Sequence, residues 1–151
     1  MSKVDFYHLQ KQSLEDVLPK LLQKAYMGGK KSVVRIGKED RVEAINSHLW
    51  TFSDESFLPH GSKKDGFAEQ QPIWLTAQNE NPNGAEFLFL TEGAECTTEE
   101  LSAYERVFNV FDGNSEQALE QARRLWKEYK NGDCEVVYWQ QDSSGKWEQK
   151  A

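Results

Sequence analysis

The sequence predicts an α/β fold: a mostly parallel sheet flanked by about three main helices. Three observations predict it. Runs of β-formers alternate with helical patterns through the first fifty residues, as βαβ units require. The longest helical pattern lies late in the chain and is again followed by a strand. The 151 residues, 38% of them hydrophobic, suffice for one core without staples, so 1–151 is expected to be a single domain.

Taken in order, residues 4–9 open the fold as a strand. A helix follows over 13–26, with Leu14, Val17, Leu18, Leu21, Leu22 and Ala25 on one face. Ser13 and Asp16 make a weak capping box. Pro19 either bends this helix or delays its start. Gly28 and Gly29 end it. The second strand is 32–36 and the second helix 39–50, with Val42, Ile45 and Leu49 inward. Residues 51–71 carry loop chemistry, and a loop of that length is often functional. Strands at 72–76 and 86–90 flank a turn at 79–84. Then come a loop or short helix at 96–101, a strand at 104–111, the third main helix at 114–130 and a strand at 134–140. A turn at 142–145 leads towards Trp147, with room for a short final strand. The order is β-α-β-α-β-β-β-α-β.

The surface is wet and acidic. Mean hydropathy is −0.78, the net charge is −7 and the pI is near 5.0. Five Trp, five Tyr and eight Phe compensate in the core, because each ring buries a large area. Nucleic-acid affinity comes mainly from Lys and Arg at phosphates, so such a chain is a poor general DNA binder unless its cations cluster. Cys96 and Cys134 fit neither a CxxC pair nor a zinc spacing and read as reduced thiols. The first residues do not resemble a signal peptide, and no apolar run is long enough for a bilayer; the cytoplasm is the expected location.

Catalytic motifs are missing. Gly29-Lys30-Lys31-Ser32 looks like the end of a phosphate loop, but it follows a helix and enters a strand, the reverse of what phosphate binding needs. His8, His48 and His60 have no second ligand at metal spacing. No catalytic residue, cofactor or metal is expected.

The third helix carries the most information. Ala118, Ala122, Leu125 and Tyr129 form a core stripe. Arg123, Trp126, Lys127 and Lys130 form a second stripe, offset from the first. The bland account is that cations complement the helix C-terminus and Trp126 extends the core. The functional account is a docking face for an acidic peptide: Arg forks a carboxylate, Lys adds charge, and Trp packs an apolar anchor.

Several short pieces, in order and spacing, are similar to one family. They are Leu49-Trp50, Ser56-Phe57-Leu58-Pro59-His60, Pro72-Ile73-Trp74-Leu75, Phe111-Asp112-Gly113-Asn114, and the run from Arg123-Arg124 through Leu125-Trp126-Lys127 to Lys130. Tyr138-Trp139-Gln140-Gln141-Asp142 and Gly145-Lys146-Trp147 complete them. The chain resembles the chi subunit of DNA polymerase III over nearly its whole length. The resemblance implies a Rossmann-like fold without a nucleotide-binding loop. It also implies a non-catalytic accessory subunit of the bacterial polymerase and its clamp-loader complex. Such proteins bind the acidic C-terminal tail of single-stranded DNA-binding protein, which ends in Pro-Phe. Some also bind the psi subunit. By position, the tail site would use Trp50, Arg123, Trp126 and Lys127, and Phe57 would face psi. Family members carry Tyr where Trp126 stands. No direct DNA or membrane contact is expected. Two rival readings are a nucleotide-binding or enzymatic protein on the same fold, and a direct single-stranded DNA binder using the Trp126–Lys127 stripe. Because both tryptophans lie near helix C-terminal ends, Trp50 and Trp126 are expected to sit together and line one shallow pocket.

Overall fold

The computed structural model describes residues 2–51, 58–132 and 134–151. Strand β1 is Lys3–Leu9, β2 is Ser32–Ile36, β3 is Gly61–Ser62, β4 is Ile73–Thr76 and β5 is Phe87–Thr91. Strand β6 is Arg106–Asp112, β7 is Glu135–Gln141 and β8 is Trp147–Gln149. Helices are α1 Leu14–Met27, α2 Val42–Thr51, α3 Thr98–Leu101 and α4 Glu116–Lys130, with single 3-10 turns at Glu39–Arg41 and Ala68–Gln70. The predicted α/β class and mostly parallel sheet are what is found. The pair β3 was missed: two residues inside a glycine-rich loop carry no periodicity to detect.

The sheet has eight strands in the order β3-β4-β2-β5-β6-β1-β7-β8, parallel throughout except for β7 with β8. This order decides where the helices lie. The connections through α1 and α2 step from β1 to β2 and onward in one direction along the sheet. Those through α3 and α4 step from β5 to β6 and from β6 to β7 in the other. Right-handed crossovers then place the two pairs of helices on opposite faces. The packing agrees. Val17, Leu18, Leu22, Ile45 and Leu49 meet Val34, Phe89 and Phe108 in one cluster. Leu101, Ala122, Leu125 and Tyr129 meet Val4, Phe6, Leu88 and Val107 in the other.

Helix α1 continues unbroken through Pro19, and Ser13 caps it at its predicted start. A proline has no N–H for the carbonyl four residues back. That carbonyl belongs to Glu15, and it accepts instead from His48 Nε2 of α2 at 2.7 Å. The lost helix bond thus becomes a bond between the two helices of that face.

Strand β1 is the second point of definition. Asp5 is fully buried, and its carboxylate accepts from Arg106 of β6 at 2.7 and 3.3 Å and from the Trp139 indole of β7 at 3.0 Å. One side chain therefore ties β1 to both its neighbours. Removing one partner of a buried charge costs about 3 kcal/mol. Arg106→Met is expected to lower the unfolding free energy by about that amount in urea denaturation, and adding Asp5→Asn should recover part of the loss.

On the α4 face, Arg35 of β2 is also buried; it donates to the Glu95 carbonyl at 2.8 Å and to the Glu100 carboxylate at 3.0 Å. Burial alone would raise the Glu100 pKa, but the Thr97 backbone N–H and the Arg35 guanidinium outweigh it and hold the carboxyl below its ordinary value. A depressed folded-state pKa stabilises above the unfolded value and loses that contribution as pH falls through the folded one. The stability gap between the wild type and Glu100→Gln should therefore be full above about pH 5. It should close as pH drops below the ordinary glutamate value of about 4.3, read by thermal melts across an acid series.

Candidate functional site

Helix α4 begins at Ser115, whose hydroxyl accepts the Ala118 N–H at 3.2 Å. Its inner stripe is anchored by Tyr129, fully buried, whose hydroxyl donates to the Cys96 carbonyl at 2.5 Å. With that stripe fixed inward, the helical period turns Arg123 and Lys127 outward and leaves Trp126 at the boundary.

Trp126 is half-buried in a ring cluster. It stands edge-on to Phe6 at 5.6 Å and to Tyr138 at 5.7 Å, and Lys130 lies over its face at 5.2 Å. Arg123 and Lys127 are exposed, and their side chains make no ion pair or hydrogen bond among the described residues. Their neighbour Arg124 differs: it holds Glu95 at 2.6 Å and Glu128 at 3.3 Å. On a chain of net charge −7, two unpaired cations beside an accessible indole form a distinct electropositive spot.

Beneath this spot lie two residues that the sequence did not single out. The Tyr138 hydroxyl is bonded to His8 Nδ1 at 2.6 Å. Burial, and next the Arg123 charge, hold the His8 pKa down, which favours the neutral ring. Burial raises the Tyr138 pKa while Arg123 opposes it, so the guanidinium lies within electrostatic reach of both. Strand alternation puts His8 on the face of Phe6, and Tyr138 on the face of Val136. Nothing in the sequence says that those strands are neighbours.

The expected pocket shared by Trp50 and Trp126 does not form. Trp50 ends α2, on the opposite face of the sheet from α4, and its ring lies 4.2 Å from that of His60. The structure brings Arg123, Trp126 and Lys127 together and leaves Trp50 apart. Phe57 lies outside the described residues.

Residues 1–137 match the sequence model of the family described as DNA polymerase III chi subunit, HolC. The chain belongs to this family. A probable DNA polymerase III subunit chi from Rickettsia prowazekii (strain Madrid E) is 29% identical to it over 117 residues, covering 74% of this chain and 71% of that protein. The matched span ends inside β7, so Tyr138 and the β7–β8 turn lie beyond what this chi chain shares with the family model.

The chi fold invites one comparison with nucleotide-binding sheets, which hold ligands in the crevice at the carboxyl ends of the strands where the strand order reverses. Here that point lies between β1 and β6, and a depression of about 1090 Å³ opens there between residues 9–15 and 112–115. In the β1–α1 loop the N–H groups of Gln10, Lys11 and Gln12 converge on one acceptor at 3.4, 3.3 and 3.4 Å. That acceptor is the Gln141 side-chain oxygen, so the chain fills the cradle with its own amide. Among the described residues no group of three or more His, Cys, Asp or Glu is placed to hold a metal ion. No helix of the described residues is long and apolar enough to cross a membrane.

The exposed cations and the boundary ring should separate cleanly in stability. Arg123→Ala and Lys127→Ala are expected to change the unfolding free energy by no more than about 0.5 kcal/mol. Trp126→Ala, which loses two ring contacts and partial burial, should cost about 2 kcal/mol. Urea unfolding of the three variants measures this.

Proposed function

We propose that this chi subunit is a non-catalytic adaptor in the polymerase and clamp-loader assembly. It recognises the acidic C-terminal tail of single-stranded DNA-binding protein with Arg123, Lys127 and Trp126. The observation that carries the reading is the pair of unpaired cations flanking an accessible indole on an acidic chain. An exposed cation satisfied within the fold has little left for a partner; the side chains of Arg123 and Lys127 pair with no carboxylate among the described residues. A peptide rich in Asp and ending in Pro-Phe offers what the spot lacks, namely carboxylates for the cations and a ring for the indole.

The spot is small, and the charge of the whole chain repels a polyanion, so direct single-stranded DNA binding is disfavoured. The nucleotide reading is disfavoured by the Gln141 amide in the β1–α1 cradle. Contact with a psi subunit through Phe57 is the further part of the proposal, and it rests on the resemblance alone.

Titration with a synthetic acidic peptide ending in Pro-Phe tests the reading. Trp126→Ala should weaken binding by about 30-fold, the cost of truncating a hot-spot ring. Arg123→Ala should cost about tenfold, and Trp50→Ala, on the other face, should leave affinity unchanged. Affinity should fall, though not vanish, as salt rises past the range where the Debye length is about 8 Å. Binding that ignores Arg123, Lys127 and Trp126 altogether would remove the site from this helix.

A further inference from the structure

The tail site has an inner wall supplied by a strand rather than by the helix. Tyr138 stands at 80° to Trp126, and two rings at that angle make a corner in which a third ring can pack. Behind it, the Tyr138 ring lies nearly parallel to Phe6 at 6.4 Å. Its hydroxyl is held by His8, itself 8% exposed and flanked by the Phe111 ring at 5.2 Å. Gly113 closes on the other edge of the imidazole: a Cβ there would fall 2.0 Å from His8 Cδ2 and Nε2. His8 Nε2 is buried with no hydrogen-bond partner. Burying that unmatched nitrogen is a cost that an apolar side chain would not incur. What the histidine adds is its bond to Tyr138.

We propose that Tyr138 is a contact residue of the tail site and that His8 is the positioning residue that sets it. The inference rests on the reading under Proposed function. The bond from His8 fixes the phenol ring, which with Trp126 forms the corner that receives the terminal aromatic of the peptide. Arg123, whose charge bears on both His8 and Tyr138, stands at the rim of this corner and takes a carboxylate of the same peptide.

The test is a double-mutant cycle on the full chain, titrated with the acidic peptide ending in Pro-Phe and melted in parallel. Tyr138→Phe keeps the ring and removes the bond; His8→Phe removes the bond from the other end. Each should weaken peptide binding by about threefold to tenfold, and the double variant should be no weaker than either single one, because all three lose the same bond. The parallel melts fix a temperature at which every variant is folded, and the titrations are run there, so weaker binding cannot be ascribed to unfolding. His8→Asn, which keeps a polar group near the place of Nδ1, should recover most of the affinity. If Tyr138→Phe and His8→Phe bind as tightly as wild type while Arg123→Ala does not, the tail site stands and the inner wall is wrong. If the wild-type chain fails to bind the peptide, the tail reading falls and this inference with it.

Discussion

The position of β1 is the constraint on which the rest of this structure depends. The first strand made is laid between β6 and β7, which come from the last third of the chain. Pairings of such long sequence separation carry a loop-closure cost before they return any stabilisation. The buried carboxylate of Asp5 offsets it locally, because it accepts from one neighbour through Arg106 and from the other through Trp139. Neither neighbour can be replaced by another strand without stranding a charge in the core. Register follows as well, since a slip of one residue would turn Asp5 to the opposite face.

Placing β1 there also builds the proposed docking face. Alternation along β1 sends Tyr7 and Leu9 towards α1, and Phe6 and His8 towards the face that α4 covers. Register pairs Phe6 with Tyr138 on β7. Trp126, one position after core residue Leu125, drops onto both rings. The electropositive spot is thus supported by residues from the beginning and from the last third of the chain, joined by the pairing of β1 with β7. The proposed docking face therefore sits on rigid elements instead of on loops: the helix is pinned by Tyr129 and the strand by its two neighbours.

How much of this the sequence discloses follows from the range of each signal. The elements themselves are local, and their periodicities were legible from Val17 and Leu22 in α1 to Leu125 and Tyr129 in α4. The two stripes of α4 were legible too, because a helix fixes the relation of residues three and four apart. Strand order is not local. Without it, the direction of each crossover is unknown, and with it the face on which each helix lies. The grouping of Trp50 with Trp126 failed for that reason alone: both lie near helix C-terminal ends, but α2 and α4 step along the sheet in opposite directions. His8 and Tyr138 were hidden for the same cause, being 130 residues apart and joined only through the pairing of β1 with β7. The bond that replaces the one Pro19 cannot make was equally out of reach, since it needs His48 from another helix.

The same topology bears on the crevice at the strand ends, where folds of this kind hold ligands. In an open α/β sheet the crevice where crossovers diverge is the natural site, and the N–H groups of the first βα loop are its usual anion holders. Here the β7–β8 extension returns to that loop. Gln141 takes up three of its N–H groups with one oxygen, while its amide nitrogen donates to Gln12 at 2.7 Å and to the Gly145 carbonyl at 3.2 Å. A neutral side chain satisfies those donors without bringing charge, and every one of its bonds is made within the chain. The unspent electrostatics are then on the outside of α4, where Arg123 and Lys127 have carboxylates within a turn on the same helix yet pair with none of them. The first βα loop thus has its backbone donors satisfied internally, while Arg123 and Lys127 on the outside of α4 are left without an ion pair among the described residues, and that contrast is what the proposed docking face rests on.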